Sequence, residues 1–235
     1  MISKLNRAQV LALATVAVIG FAAIQLGMAS TAGRTPAWDK TVMEKVRDCS
    51  ERFGTPFTTH LNETIRDISA LGGMTVLGIL SVAISGYFLL RRDYSASALL
   101  LASWLGGWGS MNGLKYLYGR ARPDIVQKLQ EATGYSFPSG HTMVATVVYL
   151  TLAFILIDRL EKRCTRIYVI AFTSLLTFLI GFSRVYLGVH YPSDVLGGWG
   201  FGLIFVLGIR LAVQWNRFEN SIKLQKNVKS PELRC

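Results

Sequence analysis

Charge is what this sequence most conspicuously lacks. Only 17% of its 235 residues are Asp, Glu, Lys or Arg, against about 25% in soluble domains. The shortfall is concentrated in long apolar runs, and mean hydropathy is +0.37. That pattern argues against a soluble domain and for membrane spans. Cysteine is scarce as well. Cys49, Cys164 and Cys235 have neither metal-ligand spacing nor a paired framework, so no zinc site and no disulfide scaffold is expected. No cluster of metal-ligating residues stands out, and neither metal nor cofactor is expected. Acidic residues number 14 against 25 basic ones, a net charge of +11. In a soluble chain that excess would point to nucleic acid. Here the basic residues gather in short connections and at the ends, so topology accounts for them and no nucleic-acid partner is expected.

What is present is a series of six apolar segments, at about 9–28, 69–90, 95–114, 141–158, 167–187 and 194–214. Each approaches the roughly 20 residues that a spanning helix needs. The expected fold is therefore all-α, a bundle of six transmembrane helices in one domain covering 1–235. The third and sixth segments are rich in glycine (Gly106, Gly107, Gly109 and Gly113; Gly197, Gly198, Gly200, Gly202 and Gly208). Close packing between helices is the expected use of such residues. Basic residues mark one side: Lys4 and Arg7, Arg91 and Arg92, Arg159, Lys162, Arg163 and Arg166, then Arg217, Lys223, Lys226, Lys229 and Arg234. By the positive-inside rule this side is cytoplasmic and holds both termini. The first segment has a basic start and small residues at Ala29-Ser30-Thr31-Ala32. A cleaved signal peptide remains an alternative, but an apolar core longer than the usual 7–15 residues favours an uncleaved anchor. The 33–68 segment is polar with scattered aromatics. It reads as two short helices on the bilayer surface, or as a plain connecting loop, and supplies no catalytic residue. The basic tail from about 215 to 235 reads as a solvated, mobile end drawn to anionic lipid.

Three short motifs fall on the opposite side. Lys115 precedes Arg122-Pro123 by a six-residue gap. A single cation at a helix end is ordinary snorkelling, but several together suit a phosphate, which arginine can grip with two parallel bonds. Pro138-Ser139-Gly140-His141 opens the fourth apolar segment. Ser139 is a good N-cap, Gly140 permits close approach, and the first-turn N–H groups favour an anion. An ordinary capped helix would look the same, save for His141. The third motif runs from Ser183-Arg184 through His190 to Asp194. His190 and Asp194 share a face if the turn between them is helical. A carboxylate on Nδ1–H would then leave Nε2 free as a nucleophile, although an interfacial His–Asp pair without a role has the same spacing. His60 reads as a solvated loop side chain.

These motifs resemble, at every signature position, those of the type 2 phosphatidic acid phosphatase (PAP2) superfamily: Lys, six residues, Arg-Pro; then Pro-Ser-Gly-His; then Ser-Arg, five residues, His, three residues, Asp. They occupy residues 115–194. The resemblance implies that His190 is a nucleophile forming a phosphohistidine and that Asp194 orients it. It implies His141 as the acid that protonates the leaving oxygen and then the base that activates water. Lys115, Arg122, Ser139, Gly140 and Arg184 would hold the phosphate, without metal. Arg120 lies outside the signature and is not included. The expected activity is a membrane phosphatase working at the outer face of a cytoplasmic membrane. Its expected substrate is a lipid phosphate or diphosphate, such as polyprenyl diphosphate, phosphatidylglycerol phosphate or phosphatidic acid. Phosphoryl transfer to another lipid or sugar acceptor is the alternative. Vanadium haloperoxidases use a similar constellation but are soluble. A transporter is disfavoured by the lack of internal repeats. The lipid and the oligomeric state are not legible in one sequence.

Overall fold

In a computed structural model of the protein, residues 7–31, 36–52 and 54–228 are described, the side chains of 7–13, 16, 55, 56 and 215–228 excepted. They form eight helices: α1 (Arg7–Thr31), α2 (Ala37–Glu51), α3 (Thr55–Ala70), α4 (Met74–Leu90), α5 (Tyr94–Tyr118), α6 (Gly140–Ile157), α7 (Arg163–Tyr186) and α8 (Pro192–Val228). There is no strand among them. Lys4 and the 229–235 end of the basic tail lie outside the described residues, as does Ala32 of the possible cleavage region.

Helix α6 is the centre of the molecule, with 78% of its apolar stretch buried against 17% for that of α7. It packs on α4, α5, α7 and α8. Its apolar residues run all round the helix, as expected for one enclosed by neighbours rather than facing solvent. The glycines behave in two ways. A Cβ on Gly198 would lie 2.9 Å from Thr142 Cβ and 3.0 Å from the Ser139 carbonyl, and one on Gly202 would lie 2.8 Å from Thr146 Cβ. These positions set how closely α8 approaches α6. By contrast, Gly109, Gly113 and Gly208 have nothing within 4 Å, so close packing does not explain them.

Each of the six predicted spans coincides with a helix, but the count of six spans is not confirmed. Among the described residues, α6, α7 and the Pro192–Gln214 part of α8 are long and apolar enough to cross a membrane. A fourth arises only if Phe57–Ala70 and α4, bent by 47° at their junction, count as one broken span. The predicted 69–90 span straddles that bend, which leaves α4 with 17 residues. The apolar described part of α1 is confined to Ala17–Thr31. At the tail, the backbone remains helical to Val228, beyond the predicted end at 214.

The 33–68 segment contains two helices rather than a plain loop, and α2 and α3 pack across the α7 and α8 ends that flank the third motif. They also pin the 119–139 connection. Arg47 Nη2 donates to the Gln127 carbonyl at 2.7 Å and Arg66 Nη2 to the Leu129 carbonyl at 2.7 Å. Helix α5 ends at Gly119, whose left-handed backbone (φ 56°) lets its N–H bond the Lys115 carbonyl at 2.9 Å. At the other end of the bundle, Asp93 caps α5 through the Ala96 N–H at 3.1 Å. There it pairs with Arg159, joining the two basic turns that flank α4–α5 and α6–α7.

Candidate active site

His190 lies in the turn between α7 and α8, buried to 2% exposure. The turn orients it through reciprocal capping. Asp194, in the first turn of α8, accepts the Tyr191 backbone N–H on Oδ2 at 2.9 Å, while its own N–H reaches the Tyr191 carbonyl at 3.0 Å. The same Oδ2 lies 3.2 Å from His190 Nδ1. Pro192 opens the helix, where its missing N–H costs nothing. The four-residue spacing therefore does bring the imidazole and the carboxylate together.

The other ring nitrogen, His190 Nε2, faces Arg122 Nη1 at 3.2 Å. A guanidinium can only donate. Nε2 is thus the acceptor, and the proton sits on Nδ1, against Asp194. Burial drives the His190 imidazole down to about 3, against the opposing pull of its hydrogen bond to Asp194 and of the carboxylate charge. The ring is neutral, with its free lone pair on the nitrogen turned toward the cations.

Those cations come from three different elements. Arg122, in the 119–139 connection, is tied by Nε and Nη2 to the Thr133 carbonyl (3.2 and 2.8 Å) and by Nη1 to the Val189 carbonyl at 2.9 Å. Lys115, near the end of α5, donates to the Tyr135 carbonyl. Arg184, near the end of α7, donates through Nη1 to Ser69 Oγ (2.5 Å) and Gln130 Oε1 (2.8 Å). Its Nε is buried without a hydrogen-bond partner. His141 stands at the start of α6 within electrostatic reach of all three cations and of His190. The turn at Gly72 and Gly73 covers it, since a Cβ on Gly72 would lie 3.3 Å from His141 Cβ. Ser139 is at the N-cap position, but its hydroxyl makes no capping bond; it accepts instead from Thr142 Oγ1 at 3.0 Å. Its own N–H is directed to the Asp194 carbonyl at 3.0 Å, which ties the second motif to the third. Gly140 allows close approach here: a Cβ on it would lie 3.3 Å from Met111 Sδ and 3.7 Å from Lys115 Cε. All eight sequence-predicted residues therefore gather at one end of the bundle.

Three further residues belong to the same network and were not expected. Arg120, 5% exposed, donates from Nη1 to Asp194 Oδ1 at 2.5 Å and to Ser193 Oγ at 2.7 Å. It lies over the Tyr191 ring at 4.1 Å. Its Nη2 reaches Asp39 Oδ2 at 2.9 Å. Asp39, fully buried on α2, also accepts the Ser193 backbone N–H at 2.9 Å. The 33–68 segment, read as supplying no catalytic residue, thus supplies a buried carboxylate that anchors Arg120. Ser136 Oγ donates to Asp194 Oδ2. Arg120, two residues before Arg122, was visible as a cation in the right loop. Asp39 and Ser136 had no signal in the sequence. His60 is exposed, as expected, but it lies on α3 and not in a loop, 3.8 Å from Glu63.

An all-helical bundle with an oriented histidine among convergent cations at its end is suited to attack on a phosphate. Residues 94–218 match the PAP2 superfamily, and the chain belongs to it. It is 39% identical over 149 residues to phosphatidylglycerophosphatase B of Bacillus subtilis, covering 61% of this chain and 71% of the relative. It is 34% identical over 141 residues to a lipid A 1-phosphatase of Rhizobium johnstonii, covering 52% of this chain and 54% of that protein. The crystal structure of a transmembrane PAP2-type phosphatidylglycerolphosphate phosphatase from Bacillus subtilis superimposes with a TM-score of 0.68 at 26% identity, covering 91% of this chain and all of that one. With that membership the protein is a hydrolase held in a membrane.

Proposed function

We propose that the protein is a single-domain integral-membrane phosphatase that hydrolyses a lipid phosphate monoester or terminal diphosphate through a phosphohistidine. The observation that carries this reading is the polarity of His190, with Nδ1–H on Asp194 and Nε2 toward Arg122. Nε2 attacks phosphorus as the bond to the leaving oxygen breaks. His141 supplies the proton to that oxygen. It then takes a proton from water, which attacks the phosphohistidine and releases inorganic phosphate and neutral His190. Lys115, Arg122 and Arg184 balance the charge on the phosphoryl oxygens. Ser139 and the Gly140 N–H, at the start of α6, complete the cradle.

Phosphatidylglycerol phosphate is the first substrate to test, because the Bacillus subtilis phosphatidylglycerophosphatase B is the more similar of the two relatives and covers more of the chain. Polyprenyl diphosphate and phosphatidic acid present the same phosphate chemistry. The clustering of the basic turns at the opposite end of the bundle supports a site on the outer face of a cytoplasmic membrane, with both termini inside.

The test is phosphate release by the purified protein in detergent with chelator present, across these three lipids, with His190→Ala as the control. Release that depends on His190 supports the proposal. If phosphate stays bound in acid-labile form but is freed only when a lipid or sugar acceptor is added, the enzyme is a transferase instead. Release unaffected by His190→Ala excludes His190 as the nucleophile.

A further inference from the structure

Of the three cations in the candidate active site, Arg184 is held differently from the other two. Arg122 uses all of its guanidinium on backbone carbonyls, with Nε and Nη2 on Thr133 and Nη1 on Val189. Lys115 donates to the Tyr135 carbonyl. Arg184 is 2% exposed, and both of its hydrogen bonds leave from a single atom, Nη1. Nη1 carries two N–H groups, so its two acceptors, Ser69 and Gln130, saturate it. The Nε of Arg184 is buried with no partner, and no bond from its Nη2 is found among the described residues. A buried N–H on a charged group is costly to leave unmatched. Nε and Nη2 form one edge of the guanidinium, an edge that can give a phosphate two parallel bonds.

The two acceptors come from different parts of the chain. Ser69, buried in the last turn of α3, accepts on Oγ at 2.5 Å. Gln130, exposed in the 119–139 connection, accepts on Oε1 at 2.8 Å. A guanidinium only donates, so the Gln130 carboxamide must turn its oxygen to Arg184. Gln130 is itself placed by its neighbour. The Leu129 N–H donates to the Leu187 carbonyl at 3.0 Å, just past the end of α7, and the Leu129 carbonyl accepts from Arg66 Nη2 at 2.7 Å. Arg66 and Ser69 lie three residues apart on α3, about one turn. One helix therefore holds Arg184 by two routes, directly through Ser69 and indirectly through Arg66, Leu129 and Gln130. An arginine fixed in this way has less rotamer freedom to lose when it grips an anion.

We propose that Ser69 and Gln130 are positioning residues for phosphate binding: by sharing Nη1 they leave the Nε–Nη2 edge of Arg184 for the phosphate. The inference rests on the phosphatase reading and extends it to two residues that act through Arg184 rather than on substrate. Their sharing of one nitrogen has a signature. Either acceptor alone still holds Nη1, whereas loss of both releases it. Removing both therefore costs more than the product of the two single losses. Two residues that only packed, one on α3 and one in the 119–139 connection, would give independent losses.

The test uses the full-length protein in detergent, with Ser69→Ala, Gln130→Met and the double variant. Two quantities are read: the concentration of inorganic phosphate that half-saturates the rise in melting temperature, and KM and kcat on phosphatidylglycerol phosphate. Each single variant should raise the half-saturating phosphate concentration and KM by about twofold. The double variant should raise both by about tenfold or more, the scale of one charge-assisted hydrogen bond. KM should move more than kcat, because the grip is lost on substrate and transition state alike. On an Arg184→Met background, Gln130→Met, at an exposed position, should add no further loss of phosphate affinity. A double variant with wild-type phosphate affinity would overturn the proposal. So would a loss equal to the product of the single losses, a loss confined to kcat, or a further loss on the Arg184→Met background. A wild type whose melting temperature does not respond to inorganic phosphate would sink it too. A wild type that binds inorganic phosphate but releases none from any of the three lipids would overturn the substrate reading instead, and the phosphate affinities of the variants would still decide this proposal.

Discussion

Arg120 Nη1 lies 2.5 Å from Asp194 Oδ1, and its Nη2 lies 2.9 Å from Asp39 Oδ2, so one buried guanidinium joins two buried carboxylates from opposite ends of the chain. Removing it leaves both carboxylates uncompensated. Arg120→Met is expected to destabilise the protein by about 3–5 kcal/mol, the usual cost of breaking a buried ion pair from one side. Denaturation in detergent checks this. Asp39→Asn keeps a hydrogen-bond acceptor and should fold. It should lower kcat more than it raises KM, because Asp39 acts through Arg120 on Asp194 rather than on substrate. An unchanged kcat would reduce Asp39 to a packing role.

His190→Gln should fold like the wild type, since Gln preserves much of the side chain's volume and polarity. It should lose at least about 10⁴-fold in kcat, the scale seen when a nucleophile is removed from a covalent mechanism. Steady-state rates and melting curves on the same sample test both parts.

The low position of His190, about 3, has a sign that can be worked out. An unfolded histidine titrates near 6.5. Between those two pH values the unfolded chain takes up a proton that the folded protein refuses. Stability is then greatest above pH 6.5 and falls as pH drops from about 6.5 toward 3. His190 itself stays neutral through this window. His190→Gln should therefore flatten the acid slope of the melting temperature, measured without substrate. In the wild type, the loss of kcat/KM over this window is expected to track unfolding rather than titration of His190. A full profile should still be bell-shaped, its acid limb set by unfolding and its alkaline limb by loss, in the substrate complex, of the proton that the proposed mechanism assigns to His141.

Ser136 shares Asp194 Oδ2 with His190 and stands 3.4 Å from His190 Nδ1. Ser136→Ala removes one of the bonds that steady the carboxylate. A kcat lower by about tenfold with little change in KM is expected, the equivalent of one modest hydrogen bond. A change in KM alone would place Ser136 at the substrate instead.

Two glycines make a paired test of packing. Gly198→Ala puts a methyl 3.0 Å from the Ser139 carbonyl and 2.9 Å from Thr142, with no flexible side-chain end to yield. It should cost about 1–3 kcal/mol. Gly109→Ala meets nothing within 4 Å in the middle of α5. It should be neutral or stabilise by up to about 1 kcal/mol. Melting temperatures of the two variants separate the roles directly.

The helical class, the places of the helices and the gathering of the eight motif residues could all be read from the residues alone, for a physical reason. Apolar runs of about twenty residues leave the backbone no option but to satisfy itself as helix. The 190–194 spacing is one helical turn, so local geometry joins that pair once Pro192 opens α8. The bend between α3 and α4 was not legible, because Gly72 and Gly73 interrupt an otherwise continuous apolar run and only packing against His141 and Ile180 decides how the chain turns there. Nor were the roles of Asp39, Ser69 and Ser136. Asp39 is one more acid on a polar helix until α2 is laid across the α8 start, 154 residues on, where it meets Ser193 and Arg120. Ser69 meets Arg184 across 115 residues. Contacts of that range leave no periodicity, since their partners are set by how the helices pack and not by spacing along the chain. The sequence alone determined the kind of chemistry and the end of the helices that carries it; only the tertiary structure decided which buried groups hold Asp194, and through it His190, in place.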